Sequence, residues 1–350
     1  MRLPVTLKLI LCALLLGVLP ACRLTAQNLT LEGQTGGFLT PTAYVVYADK
    51  GQFFSHPAIG FHYIDASAVI GNVETFSVTE SFASRAEAGF TRIQHQYGDQ
   101  PTATATPLGL SNLWNYSGMN VFHGKAVVFN DGQFGAWMPG IAIGGVIRTN
   151  DHFVSGAANK TLTGTDKSYT NGDAYIAVTK TWARPPVPFL LNLGWKATNG
   201  TIFGLGGNST RFGGRFFGGL GIPLPIGHGI VAVPSAGFTQ EPKTAVNLNT
   251  LLNAALYQCE AALACNPASY PLMSGHIPTT LDYAMRVTQK DKPHFAFDIG
   301  VGQVAGNIGS IYVPNPYFNP ANPAFGPPVV TTPVNLQARH VVGMGLSFRY

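Results

Sequence analysis

The chain ends in Val342-Gly343-Met344-Gly345-Leu346-Ser347-Phe348-Arg349-Tyr350, with apolar side chains at every second position. The residues between them are small or polar. A period of two makes one face of an extended strand apolar and leaves the other free for different chemistry. The apolar series Val342, Met344, Leu346, Phe348 and Tyr350 runs to an aromatic residue at the last position. A strand in a water-soluble sheet gains little from that ending. A strand closing a membrane barrel gains lipid contact along its length and an interfacial anchor at its end.

Charge and hydropathy point the same way. Charged residues are 11% of the chain, against about 25% in soluble domains. Hydrophobic residues are 46%, yet after residue 26 no apolar run approaches the ~20 residues of a membrane helix. Alternating lipid-facing strands reconcile the two facts. The 41 glycines and 25 prolines supply small inward residues and turn breakers.

The start of the chain supplies an export context. Arg2 and Lys8 are positive, Leu9 to Leu19 is an apolar stretch too short to span, and Leu24-Thr25-Ala26 offers a cleavage site before Gln27. Residues 1–26 are therefore read as a signal peptide. Leu19-Pro20-Ala21-Cys22 also resembles a lipobox, which makes lipidation of Cys22 a second route of processing. Cleavage after Ala26 removes Arg2, Lys8 and Arg23 and no acidic residue, so the 21 basic and 16 acidic residues come close to balance. Nothing supports a nucleic-acid partner.

Cys259 and Cys265 then remain as a disulfide candidate in an oxidising compartment. Leu248, Leu251, Leu252, Ala255, Cys259 and Ala262 sit at roughly helical spacing before Asn266-Pro267. This predicts a short helix in a long external loop. Residues six apart in a continuous helix lie about 9 Å apart along its axis, beyond bridging range. A disulfide therefore requires the helix to stop before Cys265.

Period-two segments recur along the chain, among them Ile59-Phe61-Tyr63, Phe189-Leu191-Leu193-Trp195, Leu281-Tyr283-Met285-Val287 and Phe295-Phe297-Ile299-Val301. From residue 84 the breaks between them alternate in length. Short ones fall at 84–85, 130–136, 184–187, 223–228 and 291–293; long ones at 98–117, 150–172, 199–211, 240–279 and 305–335. Outer-membrane barrels have short periplasmic turns and long external loops. Counting back from a periplasmic C-terminus gives about twelve strands, within a range of about 10 to 14, starting near Pro57. Phe129, Phe134, Trp137, Trp182 and Phe189 lie beside the short turns, as an interfacial girdle requires. Val313 to Val334 is Pro-rich and reads as a surface loop. The apolar segment Phe38 to Tyr47 is left over. Residues 27–56 are therefore expected either to add a pairing strand or to fold into the lumen as a plug, and residues 57–350 to form the barrel.

Chemical motifs are sparse. Gly300-Val301-Gly302-Gln303-Val304-Ala305 matches a dinucleotide fingerprint, but no helix can follow into Ile311-Tyr312-Val313-Pro314, and no acidic residue occurs after Asp298. The nine histidines lack metal-ligand spacing, and there is no G-x-S-x-G elbow. The sequence thus predicts no enzyme, no metal and no cofactor. His62, Arg148, Lys196, Asp282, Arg286, Asp298 and Arg349 fall on the expected inner face. A charge there either lines a water-filled channel or pairs with a neighbour to fill the lumen. Asp282 and Arg286 share a face about 13 Å apart, so their partners are expected on neighbouring strands.

Glu32 to Ala43, reading EGQTGGFLTPTA, resembles the opening of a family of bacterial outer-membrane-type proteins known as a domain of unknown function. The hairpin Phe82 to Phe90, Thr179-Lys180, Trp195 to Gly200 and Phe203 to Gly207 resemble its later blocks. The likeness covers about residues 32 to 210 thinly, and the Cys-bearing and Pro-rich loops depart from it. It implies an exported β-rich protein and supplies no functional residues.

The expectation is an all-β chain folded as an antiparallel transmembrane β-barrel in the cell outer membrane. Its partners are outer-membrane lipid and, through the C-terminal strand, the barrel-assembly machinery. The expected function is a passive porin-like channel for small solutes, with the solute unspecified. Two other readings remain open: a non-conducting barrel serving as envelope scaffold or assembly partner, and a soluble secreted β-sandwich that binds a ligand.

Overall fold

Alternation turns directly into strands. The computed structural model describes residues 28–65, 71–96, 117–152, 170–183, 187–200, 208–244, 275–276, 279–289, 294–314 and 329–349, with isolated residues between 317 and 326. The strands are β1 (Ala58–Asp65), β2 (Asn72–Phe82), β3 (Ala86–Gln96), β4 (Ser117–Phe129), β5 (Gly140–His152), β6 (Thr170–Trp182), β7 (Phe189–Gly200) and β8 (Asn208–Gly221). There follow β9 (Leu224–Gly227), β10 (Ile230–Thr239), β11 (Lys243–Thr244), β12 (Gly275–His276), β13 (Thr280–Gln289), β14 (Phe295–Pro314) and β15 (Val329–Arg349).

Twelve of these close into one barrel. β1 to β8 pair in sequence order, β8 pairs with β10, β10 with β13, and β13, β14 and β15 follow. β15 then returns to β1 in eight antiparallel pairs from Ala58↔Arg349 to Asp65↔Val342. β9 is a rim extension of the β8–β10 hairpin, and β11 with β12 forms a separate two-stranded ladder. A sandwich would need two sheets; here a single sheet closes on itself. Within the span where the twelve strands pair, closure leaves no free sheet edge, the condition for strands in hydrocarbon, where each orphaned backbone group costs several kcal/mol.

The two faces of the wall differ as the alternation demands. Along β1 and β2, His62, Thr75, Ser77 and Thr79 are buried inside, while Phe61 and Phe76 point outward at 45% and 50% exposure. Similar outward rows run around the barrel, for example Ile143, Ile176 and Trp195, which lie side by side on β5, β6 and β7. A continuous apolar surface of this kind is untenable in water. It is the lipid-facing band of a membrane-spanning barrel. On the terminal strand Val342, Met344, Leu346 and Phe348 face outward, while Gly343, Gly345, Ser347 and Arg349 face in. Tyr350 lies outside the described residues.

The short turns gather at one end. The β2–β3 turn centres on Ala83 and Ser84, one residue earlier than expected, with φ of 52° and 51°. The connection is three residues, Ala83 to Arg85, and Arg85 N–H donates to Phe82 O at 3.1 Å across the two left-handed positions. At the β4–β5 turn Gly132 takes the left-handed position, with φ +76°, and Gln133 N–H donates to Asn130 O at 3.1 Å. Aromatic pairs flank this end: Phe129 meets Phe134 edge-on at 5.7 Å, and Trp182 stacks on Phe189 at 4.6 Å.

One expected loop is largely strand. The break at 305–335 is replaced by β14 reaching Pro314 and β15 starting at Val329, paired as far as Pro314↔Val329 with bulges at Val304/Gly306 and Asn307/Gly309. These strands run 20 and 21 residues, about twice the length needed to cross a bilayer. Proline argues against a central strand, but each ribbon strand has an edge turned away from its partner, where a missing N–H costs little. Pro333 stands opposite Ser310 in this ribbon. The expected signal peptide, Cys22, the short helix and the Cys259–Cys265 pair all lie outside the described residues.

Candidate functional site

The lumen is occupied by the chain's own N-terminal segment. Residues 28–48 lie inside the barrel, and Leu29, Leu31, Phe38, Leu39, Ala43 and Val46 are all buried there. The segment is held in shape by its own tight turns. Thr30 N–H donates to Gln34 O at 2.7 Å, Leu31 N–H to Phe38 O at 3.1 Å and Gly37 N–H to Thr40 O at 2.8 Å. Two glycines in it are obligatory. Gly33 has φ +89°, and a Cβ there would come within 2.4 Å of the Thr91 hydroxyl; a Cβ on Gly36 would come within 2.2 Å of Thr40 O.

The barrel wall replaces water around this backbone. Thr79 donates to Gly33 O at 2.7 Å, Thr91 to Glu32 O at 2.9 Å, and Ser81 to Val46 O at 2.5 Å. Lys125 reaches Thr35 O at 2.8 Å, Asn192 reaches Pro41 O at 3.0 Å, and Arg349 reaches Tyr47 O at 2.8 Å. In the other direction Ala43 N–H donates to the Thr179 hydroxyl at 2.8 Å. Buried backbone groups need partners of this kind, and here they come from six different strands.

Three charge clusters reinforce the docking. Glu87 on β3 accepts from Thr35 N–H at 2.9 Å, the Thr35 hydroxyl at 2.5 Å and Val46 N–H at 3.1 Å, and pairs with Lys125 at 3.0 Å. Arg148 on β5 donates to both carboxylate oxygens of Glu32, to Asp173 at 2.6 and 3.1 Å, and to Asn171 at 3.2 Å. Lys180 pairs with Asp131 at 2.5 Å, and Asp131 also accepts from Tyr44 at 3.1 Å. Burial, with the Asp131 carboxylate beside it, pushes the Tyr44 phenol up, so it stays a donor across the working pH range.

The seven charged or imidazole residues singled out in the sequence all point inward. Arg286 meets Asp298 across the β13–β14 pair at 2.8 Å and also donates to Gly36 O at 3.2 Å. Asp298 in turn accepts from the Asn28 side chain. His62 is buried against Thr75, at 3.3 Å, and against the edge of the Phe38 ring. Arg349 lies over the Tyr47 ring, 5.1 Å from its centroid. Lys196 is buried near Asp173. Asp282 is buried on β13, and its Oδ1 has no hydrogen-bond partner.

Sequence reasoning missed Glu32, Glu87, Lys125, Asp131, Asp173 and Lys180. Glu87 and Lys125 were legible as the positions alternating with the outward Phe90 and Phe122. The inner face of β3 and β4 also carries Ile93, Met119 and Val121, which blurs the period. An occupied lumen tolerates apolar inward residues that an aqueous one would not.

One cavity of about 80 Å³ lies between the segment and β7, β8, β10 and β13; another of about 20 Å³ lies by Glu32, Tyr175 and Lys196. Among the described residues no group of three or more His, Cys, Asp or Glu could hold a metal ion.

No protein family matches the chain, and no curated protein does. Among solved structures it is similar to the NanC porin, at 8% identity and TM-score 0.38 over 84% of this chain and 100% of that one. It is also similar to LpxR from Salmonella typhimurium, at 9% identity and TM-score 0.45, again over 84% and 100%. The Ralstonia pickettii toluene transporter TbuX gives 9% identity and TM-score 0.32 over 86% and 90%. At these identities and scores the fold assignment rests on the strand pairing itself.

Proposed function

We propose that this chain is an integral outer-membrane β-barrel whose residues 28–48 act as a plug, making it a closed small-solute channel. Outer-membrane placement is supported by the closed antiparallel sheet, its apolar outer band and the gathering of short turns at one end. The plug reading is carried by one observation: wall side chains from six strands bind the segment's backbone carbonyls, from Glu32 O to Tyr47 O. Such satisfaction is specific to a docked segment, because an incidental one would leave buried carbonyls unmet. Outer-membrane lipid is the partner of the outer face. The C-terminal strand is proposed to engage the barrel-assembly machinery, since β15 makes the final seam with β1.

The test is conductance in planar bilayers, on the full mature chain and on a variant lacking residues 28–48. The full chain is expected to stay closed apart from rare openings, and the deletion to conduct steadily. Steady conductance by the full chain refutes the plug. A folded deletion variant that stays silent, with folding shown by a heat-dependent gel shift, refutes the channel and leaves the scaffold reading.

A further inference from the structure

Among the described residues, several interior carboxylates have a cation beside them. Glu32 and Asp173 share Arg148, with Lys196 nearby; Glu87 has Lys125, and Asp131 has Lys180. On β13 and β14 two carboxylates face one guanidinium. Arg286 commits its Nε to Asp298 and its Nη1 to Gly36 O. Asp282 is 5% exposed, among the described residues it has no ion pair within 4.0 Å, and its Oδ1 is unpartnered. A buried carboxylate without a counter-charge is strongly unfavourable.

Space has been kept for that carboxylate and for something beside it. Gly237 on β10 is in register with Asp282, and a Cβ there would sit 2.5 Å from Oδ1. Both residues line the 80 Å³ cavity. By volume it accommodates roughly five to eight water-sized groups. A second unpartnered acceptor lines the same cavity: Asn28 Oδ1, whose orientation is fixed because the amide nitrogen is committed to Asp298. The Ser235 hydroxyl also lines it and donates to Ala284 O at 3.2 Å, which frees its lone pairs. The remaining wall includes Phe38, Leu190 and Val233. Leu190, Gly221 and Thr288 sit at the short-turn ends of their strands, so the cavity lies toward that end of the barrel.

We propose that this cavity binds the protonated amino group of a small organic amine, with Asp282 as counter-ion and the amine's apolar remainder against Phe38, Leu190 and Val233. The Asp282 carboxylate carries a single charge, which fits an ammonium. A divalent ion would need six or more oxygen ligands, and the set here is one carboxylate, one amide oxygen and hydroxyls. The inference rests on the plug reading, because Asn28 and Phe38 belong to the segment.

The experiment titrates the full mature chain in detergent with n-butylammonium chloride, read by calorimetry. Parallel titrations use n-butanol, sodium butyrate, and sodium or potassium chloride at matched ionic strength. Saturable binding of butylammonium alone is expected, weakened at least tenfold by Asp282→Asn. Gly237→Ala keeps the charge but crowds Oδ1, is expected to weaken binding several-fold, and decides the matter if Asp282→Asn does not fold. Equal binding by the variants, equal binding of butanol, or the same heat from salt alone overturns the proposal. Plug seating is read separately, by cross-linking Ala43→Cys to Thr179→Cys. A seated plug without amine binding refutes the site only, whereas an unseated plug refutes the reading beneath it.

Discussion

Glu87→Gln is the sharpest probe of how the segment is held. The carboxylate accepts four interactions, from Thr35 N–H, the Thr35 hydroxyl, Val46 N–H and the Lys125 ammonium. The amide that replaces it keeps the volume but has one acceptor oxygen and no charge. Lys125 is then left buried with Thr35 O as its remaining partner. Breaking a buried pair from one side costs about 3–5 kcal/mol. At 1.4 kcal/mol per factor of ten, the opening equilibrium of the segment shifts by roughly two to three and a half powers of ten. Hydrogen exchange of the peptide spanning 28–48 reads this directly, because the Thr35 and Val46 amides bond different carboxylate oxygens and one of the two loses its acceptor. The shift is expected there and not in β6 or β7. Adding Lys125→Met removes the stranded charge and should restore much of the protection. Wild-type exchange in the single variant would refute the assignment of Glu87 as the anchor of the segment.

Other consequences follow from the wall. Removing Phe348-Arg349-Tyr350 deletes the β15 end that pairs with Ala58 and Ile59 of β1 and should sharply reduce membrane insertion; normal heat-modifiable barrel in the membrane fraction contradicts this. Ile176→Arg places a cation on the mid-strand lipid face, between Ile143 and Trp195, and should cost about 2–4 kcal/mol in urea unfolding from lipid vesicles. An unchanged midpoint would place that face away from hydrocarbon. Ala83→Gly relieves left-handed backbone at φ 52° and should stabilise by about 1 kcal/mol in the same assay; a loss of stability would contradict the turn geometry.

The outer face was legible in the sequence because lipid imposes one requirement on every strand. Val342 to Phe348, Phe189 to Trp195 and Leu281 to Val287 all carry the period-two signal, and the connection lengths supplied the strand count. The inner face was legible only where charge broke the pattern, as at Arg148, Asp282 and Asp298. It was hidden where the docked segment lets apolar residues face inward, as at Ile93, Met119 and Val121. Glu32 sits in a segment with no strand period at all. Its role depends on Arg148, 116 residues away, and no local pattern reports such a pairing. The long β14–β15 ribbon was obscured by the prolines around it, which usually mark loops.

The central claim is that residues 28–48 sit inside the barrel, and a cross-link tests it most directly. Ala43 N–H lies 2.8 Å from the Thr179 hydroxyl, so Ala43→Cys with Thr179→Cys, in a chain whose other cysteines are serine, should form a disulfide under mild oxidation in membranes. A reducible shift in gel mobility, with the Ala43→Cys thiol shielded from a bulky maleimide, is the expected result. Free labelling of that thiol, with no disulfide to Thr179→Cys in a folded barrel, would place the segment outside and contradict the account.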